Sequence, residues 1–139
     1  MLLPDVNVWI ALAFDFHESH ATAKAWFERT TDTSCFCRMT QQAFLRLATN
    51  PKVFKKEALS LKEAWRVYDR IILDPRIAFA TEPKNLEKSW RGYTQRQSFS
   101  PQLWNDAFLA AFARTGNFRV ITFDKGFSQF KNLDCWILS

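Results

Sequence analysis

Three aspartates carry the chemistry that this sequence is equipped to do. Asp106 lies in "SPQLWNDAFLAAFARTG", a stretch that is apolar almost all round at helical period. One turn beyond it come Leu109 and Ala110, then Ala113, so its face of the helix is small and apolar rather than solvated. A carboxylate there is unfavourable unless it sits near the positive end of the helix dipole or has a purpose. Asp5 follows the apolar run "LLP", and Asp124 follows "RVITF". Each has an ordinary role open to it, Asp5 as a helix cap and Asp124 as a turn residue in "FDKGF". Brought together, the three raise one another's pKa unless a cation offsets the charge. Mg²⁺, or Mn²⁺ in its place, is such a cation. These hard ions take oxygen ligands, and Mg²⁺ keeps several waters, so a few carboxylates suffice and bound water is on hand for hydrolysis.

The elements that must position these acids can be read from period and caps. "LLP" opens as a strand, and Asp5 or Asn7 caps a helix after it; "HESHATAKAWFERT" is a second helix. "TSCFCRM" alternates like a strand, and "TQQAFLRLATNP" is a helix stopped at Asn50-Pro51. Ser60 caps a helix through "LKEAWRVYDRIILD", with Leu61, Ala64, Trp65, Tyr68 and Ile72 as its inward stripe. "RIAFA" is a strand, "KNLEKSWRGYTQR" a helix, and Ser100-Pro101 reads as an N-cap with Pro at the first helical position; Gly116 ends that helix. "RVITF" and "CWIL" lack alternation, as expected of strands buried on both faces. Strands alternating with helices predict an α/β fold with a mainly parallel central sheet, where ligands collect at the carboxyl ends of the strands. Asp5, Asp106 and Asp124 can then meet at one edge.

With 139 residues, 47% of them hydrophobic, the chain suits one domain over residues 1–139. Its longest apolar runs fall far short of the roughly 20 residues of a membrane-spanning helix, and no basic segment precedes the first one. A soluble cytoplasmic protein is expected, with Cys35 and Cys37 as small core residues rather than a bridge. A zinc site from His17, His20, Cys35 and Cys37 has enough ligands, but C-x-C is not the usual zinc spacing. The net charge of +5 favours an anionic partner without identifying one. Lys84, Lys88, Arg91 and Arg96 are interleaved with Trp90, Tyr93, Phe99 and Trp104, the combination with which proteins hold phosphates and stack bases of single-stranded RNA.

The pieces "LLPDVNVWIALAF", "HESHATAKAWF", "CRMTQQAFLRLATNP", "LWNDAFLAAFA" and "VITFDKGF", in this order over nearly the whole chain, resemble the PIN-domain ribonucleases, specifically the VapC-like toxins of toxin–antitoxin pairs. The resemblance implies an α/β/α sandwich and Mg²⁺-dependent cleavage of RNA, with Asp5, Asp106 and Asp124 as the metal-binding acids. It also implies a homodimer and a cognate VapB-like antitoxin whose C-terminal segment covers the active site. One position departs from the family. Many members have glutamate directly after the threonine of "CRMT", where this chain has Gln41, a change shared by a close branch with the pattern "TQ.GFLRL.TNP". The catalytic set expected is therefore Asp5, Asp106, Asp124 and Gln41, with Asn7 and Thr40 supporting it. Arg38 and Arg46, flanking the glutamine helix, join Arg91 and Arg96 as phosphate contacts. The alternative is a catalytically weak module of the same fold that grips RNA or only its antitoxin.

Overall fold

The computed structural model describes residues 1–139. Its five strands, β1 (Leu2–Pro4), β2 (Ser34–Phe36), β3 (Ile77–Phe79), β4 (Arg119–Thr122) and β5 (Cys135–Ile137), form one all-parallel sheet in the order β3-β2-β1-β4-β5. Seven helices surround it: α1 (Val6–Ala13), α2 (His20–Arg29), α3 (Arg38–Ala48), α4 (Pro51–Phe54), α5 (Leu61–Ile72), α6 (Leu86–Tyr93) and α7 (Leu103–Gly116). The result is the α/β/α sandwich with a parallel central sheet. None of the helices is long and apolar enough to cross a membrane.

The sheet side chains alternate between two cores. Leu3, Cys35 and Val120 pack with the buried residues of α6 and α7 on one face. Phe36 packs with Trp9, Ile10 and Phe14 of the α1 segment, Phe44 of α3 and Ala64 and Tyr68 of α5 on the other. The Trp9 and Phe36 rings stack at 3.9 Å between centroids. From β1 the chain proceeds to β2 and β3 on one side, then returns through α6 and α7 to β4 on the other side of β1. The order therefore reverses between β1 and β4. Beyond the carboxyl ends of those two strands lies the crevice where open α/β sheets hold ligands. Pro4 has no N–H to give, and β1 pairs with β2 only at Leu2, whereas it pairs with β4 from Leu2 through Pro4.

Several local expectations are corrected by packing. Ser100 and Pro101 do not cap α7; they form a turn whose Ser100 carbonyl accepts from Leu103 N–H at 3.0 Å, and Gln102 stands at the cap. Cys37 is not on β2 but caps α3, which starts at Arg38, so the two cysteines do not share a strand face. Asn50-Pro51 does stop α3, and it also starts α4, with Asn50 Oδ1 accepting from Lys52 N–H. At the end of α7 the left-handed residue is Asn117, at φ 62°. Gly116 is needed for a different reason, since a Cβ there would lie 2.6 Å from the Phe118 ring. On α5, Ser60 caps the helix as expected, and Glu63 completes a capping box with it. Its inward stripe is narrower than the sequence suggests: Ala64 and Tyr68 are buried, but Leu61 is 75% and Trp65 49% exposed.

Candidate active site

The end of β1 and the end of β4 are tied together by one buried hydroxyl. Thr122, the last residue of β4, is fully buried. Its Oγ1 donates to Asp5 Oδ2 at 3.0 Å and accepts from Asp124 N–H at 3.0 Å and from Asn7 Nδ2 at 3.3 Å. One donor and two acceptor positions are thus all used. Asn7 closes the ring, its Oδ1 accepting from Phe123 N–H at 3.3 Å. Asp5 N–H donates across the sheet to Ile121 O, and Asp5 Oδ1 accepts from Val6 N–H at 2.7 Å as the N-cap of α1. Asp124 caps the 3₁₀ turn Lys125–Gln129, with Oδ1 accepting from Gly126 N–H at 2.8 Å. Both acids therefore fill the cap and turn roles that their local sequence suggests. They are also electrostatically coupled.

Asp106 enters from the first turn of α7. That helix is buried along Ala107, Leu109, Ala110, Ala111, Phe112 and Ala113, because its alanines let it lie close against α6 and the sheet. Leu109, Ala110 and Ala113, the apolar neighbours expected on the Asp106 side, are all fully buried. The carboxylate itself is half-buried and has no hydrogen-bond donor from the protein. Burial first, then the charges of Asp5 and Asp124, push its pKa up from 3.8 to about 6. Asp5 is also raised by burial, against the lowering effect of its bonds to Thr122 and Val6, and the Asp124 charge adds to the rise.

No lysine or arginine forms a salt bridge with any of the three acids. The group is a set of oxygen acceptors with excess negative charge and an unsolved electrostatic cost, which is the donor chemistry suited to a hard divalent cation. No group of three His, Cys, Asp or Glu side chains, these acids included, is gathered closely enough to hold a metal ion by itself. Waters complete the shell of Mg²⁺, so an ion here would be held largely through them.

Gln41 is buried on α3 and its Oε1 accepts from Arg38 Nη1. Arg38, exposed, lies over the Phe79 ring at 4.7 Å. Thr40 is buried, and its hydroxyl bonds the backbone N–H and C=O of Cys37, which places it in the cap of α3 rather than on an acid. Arg46 is exposed without an ion pair, and Arg91 is paired with Glu87 at 2.8 Å. Arg96 is exposed and bonds Gln129. The residues weighed for zinc are dispersed in their contacts: His20 Nδ1 is 2.8 Å from Ala11 O, His17 Nδ1 accepts from Ser19 N–H, and Cys35 and Cys37 are buried free thiols. Of the aromatics among the later cations, Tyr93 is buried and Trp90 donates its indole N–H to Trp104 O, while Trp104 and Phe99 are exposed. Sequence reasoning missed Thr122. The available signal was its place two residues before Asp124 at the end of a strand, where a hydroxyl among Val, Ile and Phe needs a partner.

A family model described as PIN domain matches residues 2–133. Ribonuclease VapC41 of Mycobacterium tuberculosis is 41% identical over 145 aligned positions, covering 100% of this chain and 99% of the relative. Ribonuclease VapC38 of the same organism is 31% identical, over 91% of this chain and 86% of its own. Among solved structures, VapC20 of M. tuberculosis, described as a sarcin–ricin loop cleaving toxin, superposes with a TM-score of 0.69 at 18% identity, covering 92% of this chain and 93% of its own. VapBC2 of Rickettsia felis, solved on a DNA fragment from its promoter, gives 0.71 at 10% identity, with 99% and 98% covered.

Proposed function

The chain belongs to the PIN-domain family, in its VapC-like branch, and on that premise we propose that it is a Mg²⁺-dependent endoribonuclease acting in the cytoplasm as the toxin of a toxin–antitoxin pair. The observation that carries this reading is the set of three carboxylates at the switch point between β1 and β4, unpaired by any cation of the protein, with Asp5 and Asp106 raised in pKa by burial. Asp5, Asp106 and Asp124 hold the ion, directly or through water, with Mn²⁺ an alternative occupant. When bound, Mg²⁺ supplies a water nucleophile at neutral pH and offsets the charge that grows on the phosphate and the leaving oxygen.

The chain's own residues do the rest. Thr122 and Asn7 fix Asp5 and the backbone of Asp124, so these two acids are already oriented before an ion binds, and only Asp106 is left to adjust. Asp106 accepts no protein hydrogen bond and, without metal, holds a proton only below about pH 6. Metal binding competes with that proton and therefore weakens as pH falls below about 6. Gln41 Oε1 accepts from Arg38 and Gln41 bonds none of the three acids, so its role is to hold Arg38 rather than the ion.

Two partners belong to the same reading. Leu61 and Trp65 on α5 and Leu73 just after it are 75%, 49% and 80% exposed, an apolar strip that supports a homodimer interface. The named VapC relatives and the VapBC2 complex support a VapB-like antitoxin as the second partner. The test is direct: purified protein incubated with cellular RNA should cut it with Mg²⁺ and stop with EDTA. Expression should arrest growth, and co-expression of the neighbouring small gene should relieve the arrest. Protein that binds RNA but never cuts it with Mg²⁺ or Mn²⁺ would reduce the chain to a binding module of this fold.

A further inference from the structure

The largest concavity of the molecule is not the acidic site. It is an open groove of about 780 Å³ between α6, the C-terminal end of α7 and the segment 129–132. Four cations line it, Lys88, Arg96, Arg114 and Lys131, and no carboxylate does. None of the four is in a salt bridge, whereas nearby Arg91 and Arg119 are paired with Glu87 and Asp134. Apart from Tyr93, the remaining lining is amide, hydroxyl and glycine. Tyr93 is the one hydrophobic residue of the lining, and phosphates and sugar hydroxyls would find donors throughout.

The groove is built rather than incidental. Tyr93 Oη donates to Lys131 O at 2.6 Å, tying α6 to the rim, and Arg114 lies 5.9 Å over the Tyr93 ring. Arg96 is held by Gln129 and lies 6.0 Å from the Phe130 ring. Two elements connect the groove to the acids. α7 carries Asp106 in its first turn and Arg114 near its end; the 3₁₀ turn is capped by Asp124 and ends at Gln129. Eight residues of α-helix separate Asp106 from Arg114, about 12 Å along the axis. A nucleic-acid strand rising roughly 3.4 Å per nucleotide covers that distance in about four nucleotides.

The geometry points to this groove as a phosphate-binding exosite that grips the backbone of RNA several nucleotides away from the bond cut at the acids. It rests on the ribonuclease reading for the identity of the polyanion. The test uses Lys88→Gln, Arg114→Gln and Lys131→Gln combined, with wild type as reference and thermal melts to verify folding. Binding of a single-stranded RNA of roughly 16 nucleotides is titrated against salt in EDTA, where no cleavage intervenes. Each lost phosphate contact lowers the log–log slope by about 0.7, so the triple variant should lose about 2 and bind at least about tenfold more weakly at low salt. With Mg²⁺, KM for that RNA should rise at unchanged kcat. A dinucleotide, spanning roughly 7 Å and so too short to reach from the acids into the groove, should be cut as by wild type.

An unchanged slope and KM would overturn the exosite. So would retained RNA binding with loss of binding to a poly-glutamate peptide, which would make the groove a dock for an acidic protein. If the triple variant does not fold, Lys88→Gln and Lys131→Gln singly, both at exposed positions, should each lower the slope by about 0.7. Wild-type protein that never cuts RNA while the slope difference persists would refute the ribonuclease reading and leave the groove standing. Cleavage with no groove dependence would do the reverse.

Discussion

Replacing Asp106 by Asn separates a functional carboxylate from a structural one by sign. In the metal-free protein its carboxyl titrates at about 6, against 3.8 when unfolded. A raised carboxyl means that the folded state binds the proton more tightly, so stability is greatest at low pH and falls as pH rises from about 3.8 to about 6. That gap corresponds to about 3 kcal/mol, and solvent screening of a half-buried group brings it down to about 1–2 kcal/mol. The carboxylate accepts no protein hydrogen bond, so the amide loses nothing by replacing it. In EDTA at pH 7.5 the variant should be more stable by about 1–2 kcal/mol, roughly 3–8 °C in melting temperature for a domain of this size. Near pH 4 the two should melt together. Some pH dependence will survive in the variant, because Asp5 is also raised by burial. Mg²⁺ should stabilise wild type, by about 2.7 kcal/mol at a hundredfold excess over Kd, and leave the variant unmoved. The assay is thermal melting from pH 4 to 8, in EDTA and in Mg²⁺, alongside RNA cleavage. A variant that melts lower than wild type at every pH, with an undiminished response to Mg²⁺, would refute the reasoning and make Asp106 an ordinary helix residue.

Three further outcomes follow from the same geometry. Thr122→Val keeps the shape but leaves Asp124 N–H and Asn7 Nδ2 without their acceptor, which should cost about 1–3 kcal/mol in denaturant unfolding. It also removes the bond that lowers the Asp5 pKa, so the pH needed for half-maximal cleavage should move up. Gln41→Glu gives Arg38 a charged partner; a Mg²⁺ titration of cleavage should show tightening by less than about tenfold, and a larger gain when Arg38→Ala is added. Trp65→Glu, at a half-exposed position, should leave the fold intact and convert the dimer to monomer by size-exclusion chromatography with light scattering.

Most of the fold was legible because parallel α/β architecture writes itself in local signals. The unalternating buried run of β4 and the cap at Ser60 appear where their residue types predict, whereas β5, expected to be buried on both faces, is an edge strand with Trp136 49% exposed. What was illegible depends on partners distant in sequence. The α5 stripe is a case: Leu61 and Trp65 have the period of core residues, but no element of the chain folds over them, so they remain exposed. Gly116 is another, since its local reading as a helix stop is displaced by a contact with the Phe118 ring that no propensity scale contains. Ser100-Pro101 carries the chemistry of a cap and is used two residues too early, because Leu103 N–H already bonds the Ser100 carbonyl in a turn.

The acids illustrate a subtler limit. Reading Asp5 and Asp124 as caps and reading them as a charged site look like competing alternatives in the sequence, and in the structure they are the same arrangement. A cap bond occupies Oδ1 of Asp5 and Oδ1 of Asp124 and fixes each carboxylate's direction. Thr122 then determines where Asp5 Oδ2 lies relative to the start of the Asp124 turn. Local backbone chemistry thus supplies the preorganisation that a metal site requires, with no need for dedicated supporting residues beyond one threonine and one asparagine. Asp106 alone lacks any such tether. It is the acid least satisfied by protein donors, raised to about 6 by burial and by the charges of Asp5 and Asp124, so a divalent cation beside it would relieve a cost that no protein group offsets.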